Sequence, residues 1–186
     1  MSISLKDSIK KEIAFYIKNV GDNPYYLKLL RSNNFNCLPF IYDNEEDNVL
    51  YKKQISFKRR AVANTLMLYA HHHKYNDECF SFTDGDSIGQ LFKSFFEEDN
   101  DDERVTKKYK AITSSYNRLL LFLKRYIVSL AKKKDFALDY SSLAYLFYNI
   151  ERNESDGLNE FRNEVYDSIN SIVSRKNKEK TSTSEK

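Results

Sequence analysis

Glycine, proline and cysteine are scarce in this chain, and each scarcity narrows the range of folds. The 186 residues include four Gly, two Pro, two Cys and no Trp. An all-β fold needs many tight turns, which depend on Gly and Pro, so the composition favours helices. Cys37 and Cys79 are far apart and have no metal-ligand spacing. We therefore expect a reducing environment and no disulfide framework.

Long apolar runs are also missing. No run approaches the ~18 apolar residues that suggest a transmembrane helix, so the sequence predicts no membrane contact. Residues 1–20 mix Lys, Asp and Glu into an apolar pattern, which is unlike a secretory signal peptide. The expected location is therefore cytoplasmic.

Charge is distributed unevenly along the chain. Residues 1–103 contain 13 Lys and Arg against 17 Asp and Glu, whereas residues 104–186 contain 17 against 10. A basic second half can attract polyanions, of which nucleic acid is the most common.

Hydrophobic periodicity predicts an all-α fold with roughly eight to nine helices, and an acidic segment divides them into two lobes, called the first and second bundle below. Residues 97–103 hold six acids in seven positions, which predicts a solvated linker between the bundles. The first bundle would span 1–100 and the second, basic bundle 104–173. Residues 174–186 contain no apolar residue and are predicted to be disordered.

Local signals place the helix boundaries. Ser4 is a predicted cap for the first helix, Pro24 lies in the first turn of the second, and Ser87 opens another. Strong apolar patterns run over 55–75, 104–112, 141–150 and 158–173. Lys58, Arg59 and Arg60 crowd the predicted start of the 55–75 helix. Because the macrodipole opposes positive charge there, Arg59 and Arg60 are candidates to bind an external anion.

The segment 114–134 carries the cleanest helical pattern. Its apolar residues share one face, and Ser114 or Ser115 can cap the start. The residues of that face are Tyr116, Leu119, Leu120, Leu123, Ile127 and Leu130. Arg118, Arg125 and Lys132, hereafter the basic row, recur every seven residues away from that face. The basic row suits an anion, although an ordinary solvated helix face is the simpler alternative.

Other motifs offer weaker chemistry. His71, His72 and His73 are consecutive and point about 100° apart on a helix, so they cannot converge on one metal ion. A packed or surface histidine cluster, with Tyr69 and His72 bonded into the core, is the more natural prediction. No phosphate-binding glycine loop or nucleophile elbow is present. We expect no cofactor, no metal and no enzymatic activity, while a dispersed carboxylate nuclease stays open.

Basic side chains are the remaining candidates for function. They neutralise backbone phosphates and release counterions, which gives affinity independent of sequence. The candidate set is Arg59, Arg60, Lys107, Lys108, Lys110, Arg118, Lys124, Arg125, Lys132 and Lys133. Tyr109 and Tyr126 lie among them and can stack on bases, although their helical spacing is also typical of core residues.

Several short motifs occur together in an order that resembles one known family. They are Leu38-Pro39-Phe40-Ile41-Tyr42, Leu68-Tyr69-Ala70-His71-His72, Ser87-Ile88-Gly89-Gln90-Leu91, Lys107-Lys108-Tyr109, Leu123-Lys124-Arg125-Tyr126-Ile127, and Leu138-Asp139-Tyr140 with Leu143-Ala144. In this order and spacing, the chain resembles the CasB family, the small subunit of the type I-E CRISPR surveillance complex called Cascade. Where the family usually has Arg-Arg-Phe, this chain has Lys107-Lys108-Tyr109, and Ile150 and Phe161 replace tryptophans.

The resemblance implies an all-helical, non-catalytic protein that takes part in a guide-RNA ribonucleoprotein. Its implied partners are CRISPR RNA, target DNA, the Cascade backbone and large subunits, and a second copy of the chain. It also implies that Lys107, Lys108, Lys124 and Arg125 contact nucleic acid and help stabilise the R-loop. The alternatives are a helical adaptor that binds only protein, and a small helical nuclease.

Overall fold

The structure, a computed structural model, describes residues 4–21, 23–35, 49–77, 79, 85–97, 102–166 and 168, without the side chains of 20, 49–56 and 102. Its helices are α1 (Leu5–Val20), α2 (Pro24–Arg31), α3 (Val49–His73), α4 (Ile88–Phe96), α5 (Asp102–Ile112), α6 (Tyr116–Ala131), α7 (Tyr140–Arg152) and α8 (154–166). The described residues form no sheet, and one isolated parallel bridge joins Asp86 to Leu138. The predicted all-α fold is confirmed.

Short polar side chains begin most of these helices, as the sequence predicts. Ser4 caps α1, Asn23 caps α2 ahead of Pro24, and Ser87 forms a capping box with Gln90 at α4. Of the two serines proposed for α6, Ser115 is the cap. In each case a side-chain oxygen accepts a backbone N–H that the first turn leaves unpaired.

Helix α7 lies at the centre of the packing and contacts both α1 and α3. Tyr140, Leu143, Phe147 and Ile150 are all buried at 1% exposure or less. Helix α3 also packs against α2 and α6, which brings the end of α3 close to both.

Three predicted helix starts are too late in the sequence, of which one is α8, which begins at residue 154 rather than 158. Helix α3 begins at Val49 rather than Ile55, so Arg59 and Arg60 lie in its third turn. Helix α5 begins at Asp102 rather than Arg104. Acidic residues are favoured at a helix N-terminus by the macrodipole, so the end of the acidic segment enters the helix.

Other predictions fall outside the described residues. These include the short motif 38–42, the acidic residues 98–101 and the tail 174–186. Helix α7 follows the acidic segment in sequence but packs on α1 and α3, which precede it. The division into bundles 1–100 and 104–173 stays a prediction.

Candidate nucleic-acid interface

Helix α6 has one buried face and one basic face. Leu119, Leu123 and Ile127 have no exposed surface, whereas Arg118 and Arg125 are exposed. Lys132 is exposed just beyond the last turn, where it forms the C-cap. The predicted two-sided helix is confirmed, because core packing fixes the apolar face and so directs the basic row outward.

Arg118 and Arg125 flank an open groove between α6 and the ends of α4 and α5. The groove has a volume of about 560 Å³. Seven residues at 1.5 Å per residue separate the two arginines by about 10.5 Å along α6. The Arg118 Nη1 donates to Ser114 Oγ at 3.0 Å, which holds that side chain back along the helix. The apolar lining consists of Phe95, Ala111, Ile112, Leu121, Phe122 and Tyr126.

Three aromatic rings pack together in that lining. Phe122 and Tyr126 are nearly parallel, at 11° with ring centroids 5.6 Å apart. Phe95 meets both rings at about a right angle, with centroids 4.8 and 4.9 Å away. The rings are half-buried, so they keep accessible surface toward the groove.

A second group of cations surrounds the end of α3. Burial, followed by the charges of Lys124 and Arg31, lowers the pKa of His71 from 6.5 to about 4, and Lys74 acts in the same direction. Arg31 Nη1 donates to the Ala70 carbonyl at 3.3 Å, near the C-terminus of α3, where positive charge is favoured.

Lys132 connects this group to the basic row. The Lys132 and Lys74 ammonium groups lie 5.1 and 5.2 Å from the centre of the same ring, that of Tyr75. We call Arg31, Lys74, Lys124 and Lys132 the α3-end cluster. Its members come from α2, the turn after α3, and α6. The site predictions omitted Arg31 and Lys74, because only the fold brings them to Lys124 and Lys132.

Arg59 and Arg60 do not lie at a helix start, contrary to prediction. Helix α3 begins ten residues before Arg59, and the macrodipole acts mainly within the first turn, so the physical reason for an anion site there is lost. The Arg60 Nε lies 2.6 Å from Glu151 Oε2 on α7, so the Arg60 guanidinium has an acidic partner within the chain. Arg59 lies within electrostatic reach of Tyr16 on α1.

The lysines of α5 differ in their surroundings. Lys107 pairs with Glu103 at 2.6 Å one turn earlier, with both side chains exposed, so the pair contributes little to stability. Lys108 is half-buried, and Lys110 is exposed, as is Lys133 beyond α6. Tyr109 is a core residue, since it is 8% exposed and its hydroxyl donates to the Arg162 carbonyl.

The three histidines point in different directions. His72 is fully buried, stacks on Phe136, and has Nδ1 3.0 Å from the Tyr140 hydroxyl. His73 has Nε2 3.2 Å from the Gly21 carbonyl. The predicted packed cluster is confirmed for His72. Among the described residues, no three His, Cys, Asp or Glu side chains are placed to hold a metal ion.

Fold and surface together define an all-helical protein whose cations gather around α6 and the end of α3. No family model and no curated protein matches the sequence. The structure is similar to the crystal structure of CasB from Thermobifida fusca, with a TM-score of 0.59 and 17% sequence identity. The match covers 90% of this chain and 99% of that chain. The predicted resemblance to CasB is therefore confirmed as a likeness of fold. Within the described part of the chain, no helix is long and apolar enough to span a membrane.

Proposed function

We propose that this chain is the non-catalytic small subunit of a type I-E CRISPR RNA-guided surveillance complex. The observation that carries this proposal is the similarity of fold to CasB over 90% of the chain. The motif order in the sequence supports the same assignment independently, because it depends on residue identities and not on the fold.

The proposed task is to hold nucleic-acid backbone by charge. In RNA-guided complexes, base pairing reads the sequence and protein contacts hold the strands by shape and charge. The basic row and the α3-end cluster share Lys132, so they offer phosphates a connected path across α6. Such contacts would steady the guide–target duplex and the displaced strand, and thereby stabilise the R-loop in antiviral defence.

The proposed partners follow from the proposed role as a small subunit of the complex. They are CRISPR RNA, target DNA, the backbone and large subunits of Cascade, and a second copy of this chain, all in the cytoplasm. Holding phosphates makes and breaks no bond. We therefore expect the purified chain to leave labelled single-stranded DNA uncleaved in the presence of magnesium.

Co-purification tests the assignment. A tagged copy of the full chain, expressed with its CRISPR partner subunits and guide array, should bring down a CRISPR RNA of defined length. Recovery of partner proteins without RNA would instead identify a protein adaptor. Magnesium-dependent cleavage that is abolished by changing a single carboxylate would instead identify a nuclease.

A further inference from the structure

The groove beside the basic row contains more apolar surface than phosphate binding requires. Phosphates need only cations, yet Arg118 and Arg125 lie within an aromatic and aliphatic lining. Leu121 within that lining is 49% exposed. Together with the three aromatic rings, Leu121 forms an apolar patch beside two arginines, and such a patch marks an interaction site. The combination suits a ligand that carries both a flat apolar group and negative charge.

We infer that this groove receives an unstacked base of a single-stranded nucleic acid, while Arg118 and Arg125 hold the phosphates on either side of it. This inference rests on the proposed function and adds that the chain contacts bases as well as backbone. The contact does not depend on sequence, because every base offers a π face to an aromatic side chain.

Dimensions agree with this occupant. A volume of about 560 Å³ lies in the range of small-ligand sites, ~300–1,000 Å³, so the groove holds a nucleoside-sized group. The rise of about 10.5 Å between the two arginines is about three times the ~3.4 Å rise of one stacked step, so a strand that spans both has length for an unstacked step between them. One strand can therefore reach both arginines and still present a base between them.

Charge favours a nucleic acid over an acidic peptide. Helix α6 contains no Asp or Glu, and no acid lines the groove among the described residues. Arginine guanidinium groups also match phosphate with two parallel hydrogen bonds, and Phe95, Phe122 and Tyr126 supply a stacking surface.

Binding of the full chain to two labelled strands of equal length tests the inference. One strand is oligothymidylate, and the other is an abasic strand with the same phosphates and no bases. The intact strand should bind about tenfold more tightly, since stacking on aromatic side chains adds to affinity. In Tyr126→Leu this preference should disappear, while affinity for the abasic strand stays unchanged.

Tyr145→Leu is the matched control. Tyr145 is also a half-buried tyrosine, with Lys6 lying 5.4 Å from its ring centre, but it belongs to α7 and not to the groove. This variant should keep the preference for the intact strand. If Tyr126→Leu does not fold, Leu121→Ala at the exposed position of the lining takes its place, and the preference for the intact strand should likewise fall.

The outcomes separate this inference from the proposed function. Equal affinity for both strands would overturn base binding and leave phosphate binding in place. A preference that survives in Tyr126→Leu would place base contact elsewhere and also overturn the inference. An acidic peptide should displace neither strand, which would support a nucleic acid as the occupant. If the peptide instead binds the unaltered chain and Tyr126→Leu abolishes that binding, the inference is overturned. If neither strand binds, the proposed function fails and base binding fails with it.

Discussion

The pair formed by His72 and Tyr140 is the polar centre of the core. Both side chains have no exposed surface, and they come from α3 and α7, whose contact is the most extensive between any two of the described helices. The Tyr140 hydroxyl lies 3.0 Å from His72 Nδ1 and 3.5 Å from the Leu68 carbonyl. Tyr69 meets the Tyr140 ring edge-on. These residues belong to the motifs that carry the resemblance to CasB. The motif residues therefore include those that connect α3 to α7 in the core.

A histidine buried in this way makes stability depend on pH. Burial lowers the pKa of His72 from 6.5 to about 3. Between these values, the unfolded chain binds a proton at His72 and the folded chain does not. The contribution of neutral His72 to the free energy of unfolding is therefore fully present above pH 6.5 and is lost as the pH drops toward 3. From about pH 7.5 to about pH 5, we expect a loss of about 2 kcal/mol from His72.

Urea denaturation at the two pH values measures this loss. His72→Gln should unfold more easily at neutral pH but should show a smaller further loss on acidification. His71→Gln is the comparison, since His71 also has a lowered pKa but is partly exposed and should contribute less. An equal pH dependence in His72→Gln and the unaltered chain would contradict the buried neutral His72.

Helix α8 approaches the backbone at the end of α7 closely at Gly157. A Cβ added to Gly157 would lie 2.5 Å from the carbonyl carbon of Asn149, and closer still to the backbone nitrogen and Cα of Ile150. Backbone atoms cannot move aside as a flexible side chain can. Gly157 is therefore the residue that allows α8 to pack on α7.

Gly157→Ala should accordingly destabilise the protein although alanine is the better helix former. Alanine gains roughly 1 kcal/mol in helix propensity, but the overpacking costs about 1–3 kcal/mol or more and a shift of α8. Thermal unfolding measures the net effect. Ser155→Ala, at an exposed position of the same helix, should change stability by less than about 0.5 kcal/mol. A Gly157→Ala variant that is as stable as the unaltered chain would refute the close packing.

Helix positions were largely predictable from sequence because caps and apolar spacing act locally. Ser4, Pro24, Ser87 and Ser115 lie where their side chains predict a helix start. The start of α3 at Val49 was missed, since residues 49–54 interrupt the apolar pattern with Lys52 and Lys53. With the helix start placed at Ile55, Arg59 and Arg60 fall near a helix N-terminus, which is why an anion site is predicted there from the sequence.

The basic surface could be predicted only in part, because it belongs to the whole molecule. The basic row follows from one helix and its period, so the sequence alone places Arg118, Arg125 and Lys132 on one exposed face. Lys74 and Arg31 join Lys124 only through contacts among α2, α3 and α6. The partners of Arg60 and Lys107 were likewise invisible in the sequence, and both cations lie opposite the chain's own acids.

The salt dependence of single-stranded DNA binding tests the central claim most directly. Affinity should fall steeply with salt, and replacing the basic row in R118Q/R125Q/K132Q should lower the log–log slope by about 2, at ~0.7 per phosphate contact. The control K10Q/K11Q/K18Q removes the same charge from α1 and should keep the slope. A slope that the first variant leaves intact, or that both variants lower equally, would show that α6 does not hold the phosphates.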